Sequence, residues 1–312
     1  MKPATIDWIV PPAVRPGDLV GVCAPSAPII PERFQRGLAI LARHLTLRVP
    51  DGLGERRAAG YLAGDDQQRA DELTAMLVDP DVRAIVVARG GYGLTRVLPL
   101  VDPTLLARDP KPIVGFSDAV ALLAWAAGAR VRAIHGPVVS QLGDLPESDV
   151  TALVAMLTDP RPLGRLDARL RPLGATRAVA GVLVPANLKM LAHLVGTPWQ
   201  LDPDDAVLLI EEIGERPYAV DRDLTQLELA GLMRGARGVV VGDLIRCTTV
   251  PGGADDPTAA RAVVAERLAA FGLPGWWDAP VGHGPRNRAL PFGARVEIDE
   301  AGGWSILDGA VV

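Results

Sequence analysis

Four short stretches carry residues able to do chemistry. The first is Gly115-Phe116-Ser117-Asp118, directly after the run Lys111-Pro112-Ile113-Val114. A serine between a strand end and a helix start sits on a tight turn. That geometry presents its hydroxyl and aims the next backbone N–H, that of Asp118, at the same space. The helix N-terminus adds a positive field suited to a developing oxyanion. The match to the G-x-S-x-G elbow lacks the second glycine, and a plain helix cap by Ser117 or Asp118 fits the same residues. The second stretch is Ala88-Arg89-Gly90-Gly91-Tyr92-Gly93. Adjacent glycines let the backbone approach a ligand with its N–H groups outward. A phosphate loop would need a GKS/GKT or a full GxGxxG, and neither is present. Beside Ser117, Gly90 or Gly91 becomes a candidate second oxyanion donor.

The third stretch ends the apolar run Val207–Ile210 with Glu211 and Glu212. Carboxylates at strand ends border the usual ligand crevice of α/β proteins. Alternation puts the two on opposite faces, so one of them at most should serve a site. The fourth, 281–287, places His283 between Gly282 and Gly284, in a loop where no helix or strand packing calls for an imidazole. An activated serine needs a base in hydrogen-bond reach, and the base needs an acid to orient it. Ser117, Glu211 and His283 supply these parts in the order Ser, Glu, His. Of the other histidines, His44 and His193 read as structural, and His135 as a lesser site candidate. There is no HExxH, CxxC or close histidine pair, so no metal and no cofactor is expected.

Elements that would position these residues follow from apolar periodicity. Strands are predicted at Asp18–Cys23, Arg83–Ala88, Pro112–Gly115, Val131–Ile134, Val179–Val184, Ala206–Glu212 and Gly238–Val241. Helices are predicted at Pro31–Leu45, Asp66–Leu77, Ser117–Ala127, Asn187–Val195, Val220–Leu232 and Thr258–Phe271, with a Gly/Pro/Asp loop at Val250–Pro257. Short apolar strands alternating with helices indicate an α/β fold: an N-terminal, mostly parallel sheet flanked by helices, then a smaller C-terminal α/β domain. Prolines and glycines collect around 145–176 without a strong period. The expected organisation is an N-terminal nucleophile domain over 1–150, a linker over 151–176, and a C-terminal domain over 177–312 carrying the glutamate and histidine.

Composition sets the boundaries. The chain has 312 residues, of which 49% are hydrophobic and 22% charged, which excludes a disordered or fibrous chain. A net charge of −5 gives no support to nucleic-acid binding. No apolar run approaches the roughly 20 residues that span a bilayer, and the N-terminus lacks the apolar stretch of a signal peptide. The expectation is a soluble cytoplasmic protein with no membrane or nucleic-acid partner. Cys23 and Cys247 lie too far apart for a metal or redox pair and read as buried free thiols.

At these places the sequence resembles the LD-carboxypeptidase family of serine peptidases, which also contains the microcin-immunity peptidases. The stretches that carry the resemblance are VGVCAPSAPI (20–29), ARGGYG (88–93), KPIVGFSDAVALL (111–123), IHGPV (134–138), PANLKMLAHLVGTPW (185–199), LLIEEIGERPYAVDRDLTQL (208–227) and GHGPRNRALPFG (282–293). The resemblance implies Ser117 as nucleophile, His283 as general base and Glu211, the first of the acidic pair, as its orienting acid. It implies an oxyanion hole from the N–H of Asp118 and of Gly90 or Gly91. It implies hydrolysis of the L,D-amide to the terminal D-alanine of a cytoplasmic murein tetrapeptide, and it allows for a homodimer. An exopeptidase must also hold a terminal carboxylate, for which Arg89 and Arg286 are candidates. Two other readings stay open. One is a microcin-immunity-type peptidase acting on peptidyl- or aminoacyl-nucleotide toxins, with Trp276 or Trp277 stacking on the base. The other is a non-catalytic two-domain small-ligand binding protein.

Overall fold

The computed structural model describes residues 7–55, 58–249 and 255–312. The first six residues of the stretch read for an export signal, and most of the loop expected over 250–257, lie outside the described residues. Two compact units are present. One runs up to Arg161 and takes back Arg288–Phe292 and Gly309–Val312; the other comprises Pro162–Asn287 and Gly293–Asp308. The chain passes from one to the other within 151–176, and that stretch is structured, holding most of a helix and two short strands.

In the N-terminal unit, β1 (Leu19–Cys23), β2 (Thr46–Arg48), β3 (Val82–Val87), β4 (Ile113–Gly115) and β5 (Ala133–His135) form a parallel sheet. Their spatial order is β2-β1-β3-β4-β5, and Leu290–Phe292 (β12) adds an antiparallel strand beyond β5. Val20, Val22, Ile85, Val86, Ile113 and Val114 are all fully buried, as a sheet covered on both faces requires. The helices are α1 (Pro31–Leu41), α2 (Asp66–Val78), α3 (Leu94–Val97), α4 (Thr104–Arg108), α5 (Val120–Gly128) and α6 (Glu147–Thr158). Helix α5 is apolar nearly all round and lies in the core against β4 and β5. The sheet order reverses between β1 and β3, and ligands bind at the carboxyl ends of strands beside such a switch.

Two expectations shift. The helix predicted over Pro31–Leu45 stops at Leu41; the chain turns through His44 into β2, where Thr46 and Leu47 pair with β1. Around 145–176 the prolines hid α6, because Pro146 sits at its N-cap and Pro160 just past its end. Val150, Leu153, Met156 and Leu157 are buried at helical spacing along it.

The second unit contains β6 (Gly164–Arg165), β7 (Arg171–Leu173), β8 (Val179–Asn187), β9 (Ala206–Ile213), β10 (Gly238–Ile245), β11 (Gly275–Trp277), β13 (Arg295–Ile298) and β14 (Trp304–Ile306). They form one sheet in the order β6-β14-β13-β8-β9-β10-β11-β7, parallel from β8 to β11 and antiparallel outside them. Helices α7 (Leu188–His193), α8 (Pro217–Leu229) and α9 (Ala259–Phe271) accompany it. Helix α8 begins three residues before the predicted Val220, with Pro217 in its first turn.

Cys23 and Cys247 are both buried thiols outside any disulfide. Burial pushes the Cys247 thiol up to about 11, so it is no thiolate at neutral pH. Among the described residues no helix is long and apolar enough to cross a membrane.

One buried cation ties α2 to the strand that delivers Ser117. Lys111, just before β4, is fully buried, and its Nζ donates to the carbonyls of Met76 (3.1 Å), Leu77 (2.8 Å) and Asp79 (2.6 Å). These are the carbonyls that the end of α2 leaves without partners in the helix. Asp109 pairs with the same ammonium at 3.3 Å. Lys111→Met removes the only donor on the side chain and should lower stability by about 1–3 kcal/mol. A urea denaturation midpoint equal to that of the wild type would contradict this account.

Candidate active site

Strand β4 ends at Gly115, and a 3-10 turn, Ser117–Ala119, leads into α5. Ser117 is half-buried with φ 61°, in the left-handed region. A residue with a side chain is held there at a cost of roughly 1–3 kcal/mol, and such strain collects at functional turns. The position of the second glycine in G-x-S-x-G is filled by Ala119. Its methyl fits because Gly115 has none: a Cβ on Gly115 would lie 2.6 Å from the Ala119 Cβ. Neither Ser117 nor Asp118 caps α5, which has no side-chain cap. Instead the Asp118 carboxylate accepts the Leu94 N–H at 3.0 Å, at the start of α3. Burial raises this carboxyl above its ordinary range.

That bond draws the glycine loop to the serine. A Cβ on Gly90 would meet the Ser117 Cβ at 2.9 Å and its Oγ at 3.1 Å, so only a residue without a side chain fits there. The Ala27 N–H donates to the Gly90 carbonyl at 3.2 Å, joining the loops after β1 and β3. Sequence reasoning passed over Arg69, which is fully buried behind them. Its guanidinium donates to the carbonyls of Gly93 (3.0 Å) and Pro25 and pairs with Asp66. A single arginine in a helix leaves no periodic signal. Arg89 is half-buried and donates to the Pro28 carbonyl.

In the second unit, Glu211 and Glu212 lie near the end of β9, just before Ile213, and are both buried. The Glu211 Oε2 lies 2.7 Å from Nδ1 of His283. Glu212 turns to the other face, where it accepts the N–H groups of Lys189 (2.8 Å) and Ile213 (2.8 Å). Asn187, at the end of β8, donates from Nδ2 to Glu211 (3.2 Å) and Glu212 (3.0 Å). Its Oδ1 caps α7 through the Met190 N–H at 3.1 Å. Its role was not read from the sequence, although an asparagine before a helix carries the capping signal. Burial pushes the Glu212 carboxyl up to about 7, against the pull of its three N–H donors. His283 is half-buried, and Arg286 is half-buried in the same loop.

The remaining histidines do other things. His135 is fully buried in β5, edge-on to Phe116 with ring centroids 5.4 Å apart. His44 and His193, read as structural, are exposed. Trp276 is fully buried, and Trp277 is nearly so beneath the Arg261 guanidinium at 4.9 Å, so neither offers a face to a nucleobase. Among the described residues no group of three or more His, Cys, Asp or Glu is placed to hold a metal ion.

Family models place the chain. The LD-carboxypeptidase N-terminal domain matches residues 20–136, and the LD-carboxypeptidase C-terminal domain matches residues 180–298. The chain belongs to the LD-carboxypeptidase family. The probable murein peptide carboxypeptidase of Bacillus subtilis is 31% identical over 308 residues, covering 96% of this chain and 95% of its own. The murein tetrapeptide carboxypeptidase of Pseudomonas aeruginosa is 32% identical over 249 residues, covering 77% and 80%. The crystal structure of muramoyltetrapeptide carboxypeptidase from Oxalobacter formigenes aligns with a TM-score of 0.80 at 26% identity, covering 93% of this chain and 99% of that one. The microcin C7 self-immunity protein MccF of Escherichia coli is 24% identical over 321 residues, covering 91% of each chain. The wild-type apo structure of MccF shares the fold, with a TM-score of 0.86 at 22% identity over 97% of this chain and 100% of that one. The protein is a serine-type carboxypeptidase, a hydrolase, which sets aside the non-catalytic reading.

The state of Glu212 has a measurable consequence. Its folded pKa of about 7 lies above the ordinary 4.5, so between these values the folded carboxypeptidase holds a proton that the unfolded chain has lost. Stability from this group is therefore present at acid pH and lost as pH rises toward about 7. Glu212→Gln cannot ionise, and its unfolding free energy should decline less than the wild type's from pH 4.5 to 7. Equal slopes in paired urea titrations would contradict the assignment.

Proposed function

We propose that this carboxypeptidase hydrolyses the L,D-amide bond to the terminal D-alanine of murein tetrapeptides, with Ser117 as nucleophile, His283 as general base and Glu211 as orienting acid. The observation that carries the reading is the buried Glu211 carboxylate 2.7 Å from Nδ1 of His283. A carboxylate there holds the proton on Nδ1, so Nε2 carries the lone pair that accepts a proton. The strained φ of Ser117 and the contact of Gly90 with its side chain support its role as nucleophile. The names of the Bacillus, Pseudomonas and Oxalobacter relatives support the substrate class.

In this mechanism the Ser117 Oγ attacks the scissile carbonyl carbon as its proton passes to Nε2 of His283. The carbonyl π pair moves onto oxygen, which the N–H of Asp118 and of Gly90 or Gly91 receive. One such donor is worth roughly 2.7–4 kcal/mol. The C–N bond then breaks, the imidazolium protonates the leaving amine of D-alanine, and water resolves the acyl-enzyme by the same steps in reverse order. Arg89 and Arg286 are the proposed holders of the terminal carboxylate; lysine variants of both that leave KM unchanged would withdraw them. A cytoplasmic location and a homodimer belong to the same reading.

The test is mass spectrometry of the products from a synthetic murein tetrapeptide. Ser117→Ala, with unchanged circular dichroism, should release no D-alanine, and persistent turnover would reject the nucleophile. Glu211→Gln should cut kcat/KM by about 10²–10⁴-fold while the fold stays intact. A loss below tenfold would reject the orienting role.

A further inference from the structure

Strand β10 carries an irregularity next to the histidine loop. Its pairing with β9 runs Val241 to Ile210 and then Leu244 to Glu212, so β10 has one residue more than its partner between these pairs. Bulges of this kind re-aim a side chain, and they gather beside functional sites. The residues released from the ladder are Gly242 and Asp243, and Asp243 bonds instead to the loop that carries His283. The Asp243 N–H donates to the Val281 carbonyl at 3.0 Å, and the Gly284 N–H donates to the Asp243 Oδ2 at 2.9 Å. The Asp243 carboxylate thus lies against both neighbours of the imidazole. A Cβ on Gly284 would meet its Oδ2 at 2.3 Å, and one on Gly282 would meet it at 2.9 Å. Gly282 also has φ +149°, which excludes an ordinary side chain for a second reason. The glycine-histidine-glycine pattern is therefore a seat for a carboxylate.

We infer that Asp243 is a positioning residue for His283: its carboxylate accepts the Gly284 N–H and so fixes the loop that carries the imidazole. The inference rests on the proposed role of His283 as base. Glu211 on β9 and Asp243 on β10 set carboxylates beside the loop, Arg286 is a charge within it, and Arg261 on α9 acts on Asp243. Burial raises the Asp243 carboxyl, and the Gly284 N–H, His283 and Arg261 each draw it back toward the ionised form.

The test separates the acceptor from the scaffold. Asp243→Asn keeps an oxygen for the Gly284 N–H, and Asp243→Ala removes it. Two readouts are followed: the thermal midpoint, and kcat and KM separately on a D-alanine-terminated murein tetrapeptide. Asp243→Ala should lose roughly 10-fold or more in kcat through misplacement of the base, with KM within a few-fold of wild type, and Asp243→Asn should restore kcat to within a few-fold of wild type. A purely structural residue would lower the thermal midpoint and leave kcat of the folded enzyme unmoved; that result, or an Asp243→Asn as slow as Asp243→Ala, overturns the inference. His283→Ala is the control. If it keeps full activity, the base assignment has failed; if it is inactive while Asp243→Ala turns over as wild type, only the role of Asp243 has failed.

Discussion

A carboxylate buried at the end of an apolar strand must be answered by donors, and the second unit is arranged around that demand. Strand β9 runs through the sheet as Val207-Leu208-Leu209-Ile210, all buried, and continues into two glutamates that are buried as well. An isolated charge there would cost more than the fold could supply. Asn187 at the end of β8, the N-terminus of α7 and the His283 ring answer it from three directions. The two carboxylates settle differently. Glu211 takes a ring nitrogen, and Glu212 takes backbone N–H groups at a helix start. Side-chain alternation along β9 makes that division unavoidable.

In the N-terminal unit the controlling constraint is close approach. The glycine loop lies nearer to the serine turn than a side chain at Gly90 would permit, and the turn itself closes more tightly than a side chain at Gly115 would permit. Buried polar groups then hold what the glycines allow. Asp118 anchors the start of α3, Arg69 gathers the carbonyls of Gly93 and Pro25, and Lys111 fixes the end of α2 to β4. Each is costly to bury and worthwhile only when its bonds are complete. Together they keep Ser117 in a backbone conformation that it would not adopt in a free chain.

Most elements were readable because burial imposes a period. The strands at Leu19–Cys23, Val82–Val87 and Ala206–Ile213 are runs of branched apolar residues, and α2 and α9 lie within a residue or two of their predicted bounds. Helix α6 is obscured in the sequence because prolines crowd its surroundings, yet they flank the helix, where proline does no harm. Strand β2, with three residues and one half-buried side chain, has too little pattern to announce itself. The candidate chemistry was legible for a similar reason. Serine after a strand, glycines after a strand and a histidine between glycines are local arrangements, and local arrangements are written in consecutive residues.

The sequence by itself determined the fold class, the family and the residue types offered for catalysis. Tertiary structure alone decided which groups face one another. It set Glu211 rather than Glu212 on His283, spent Asp118 on α3, buried Trp276 and brought Asp243 beneath the histidine loop. The reason is physical. A side chain's direction at a strand end depends on register, bulges and the donors that neighbouring strands deliver, and those neighbours come from tens of residues away in the chain.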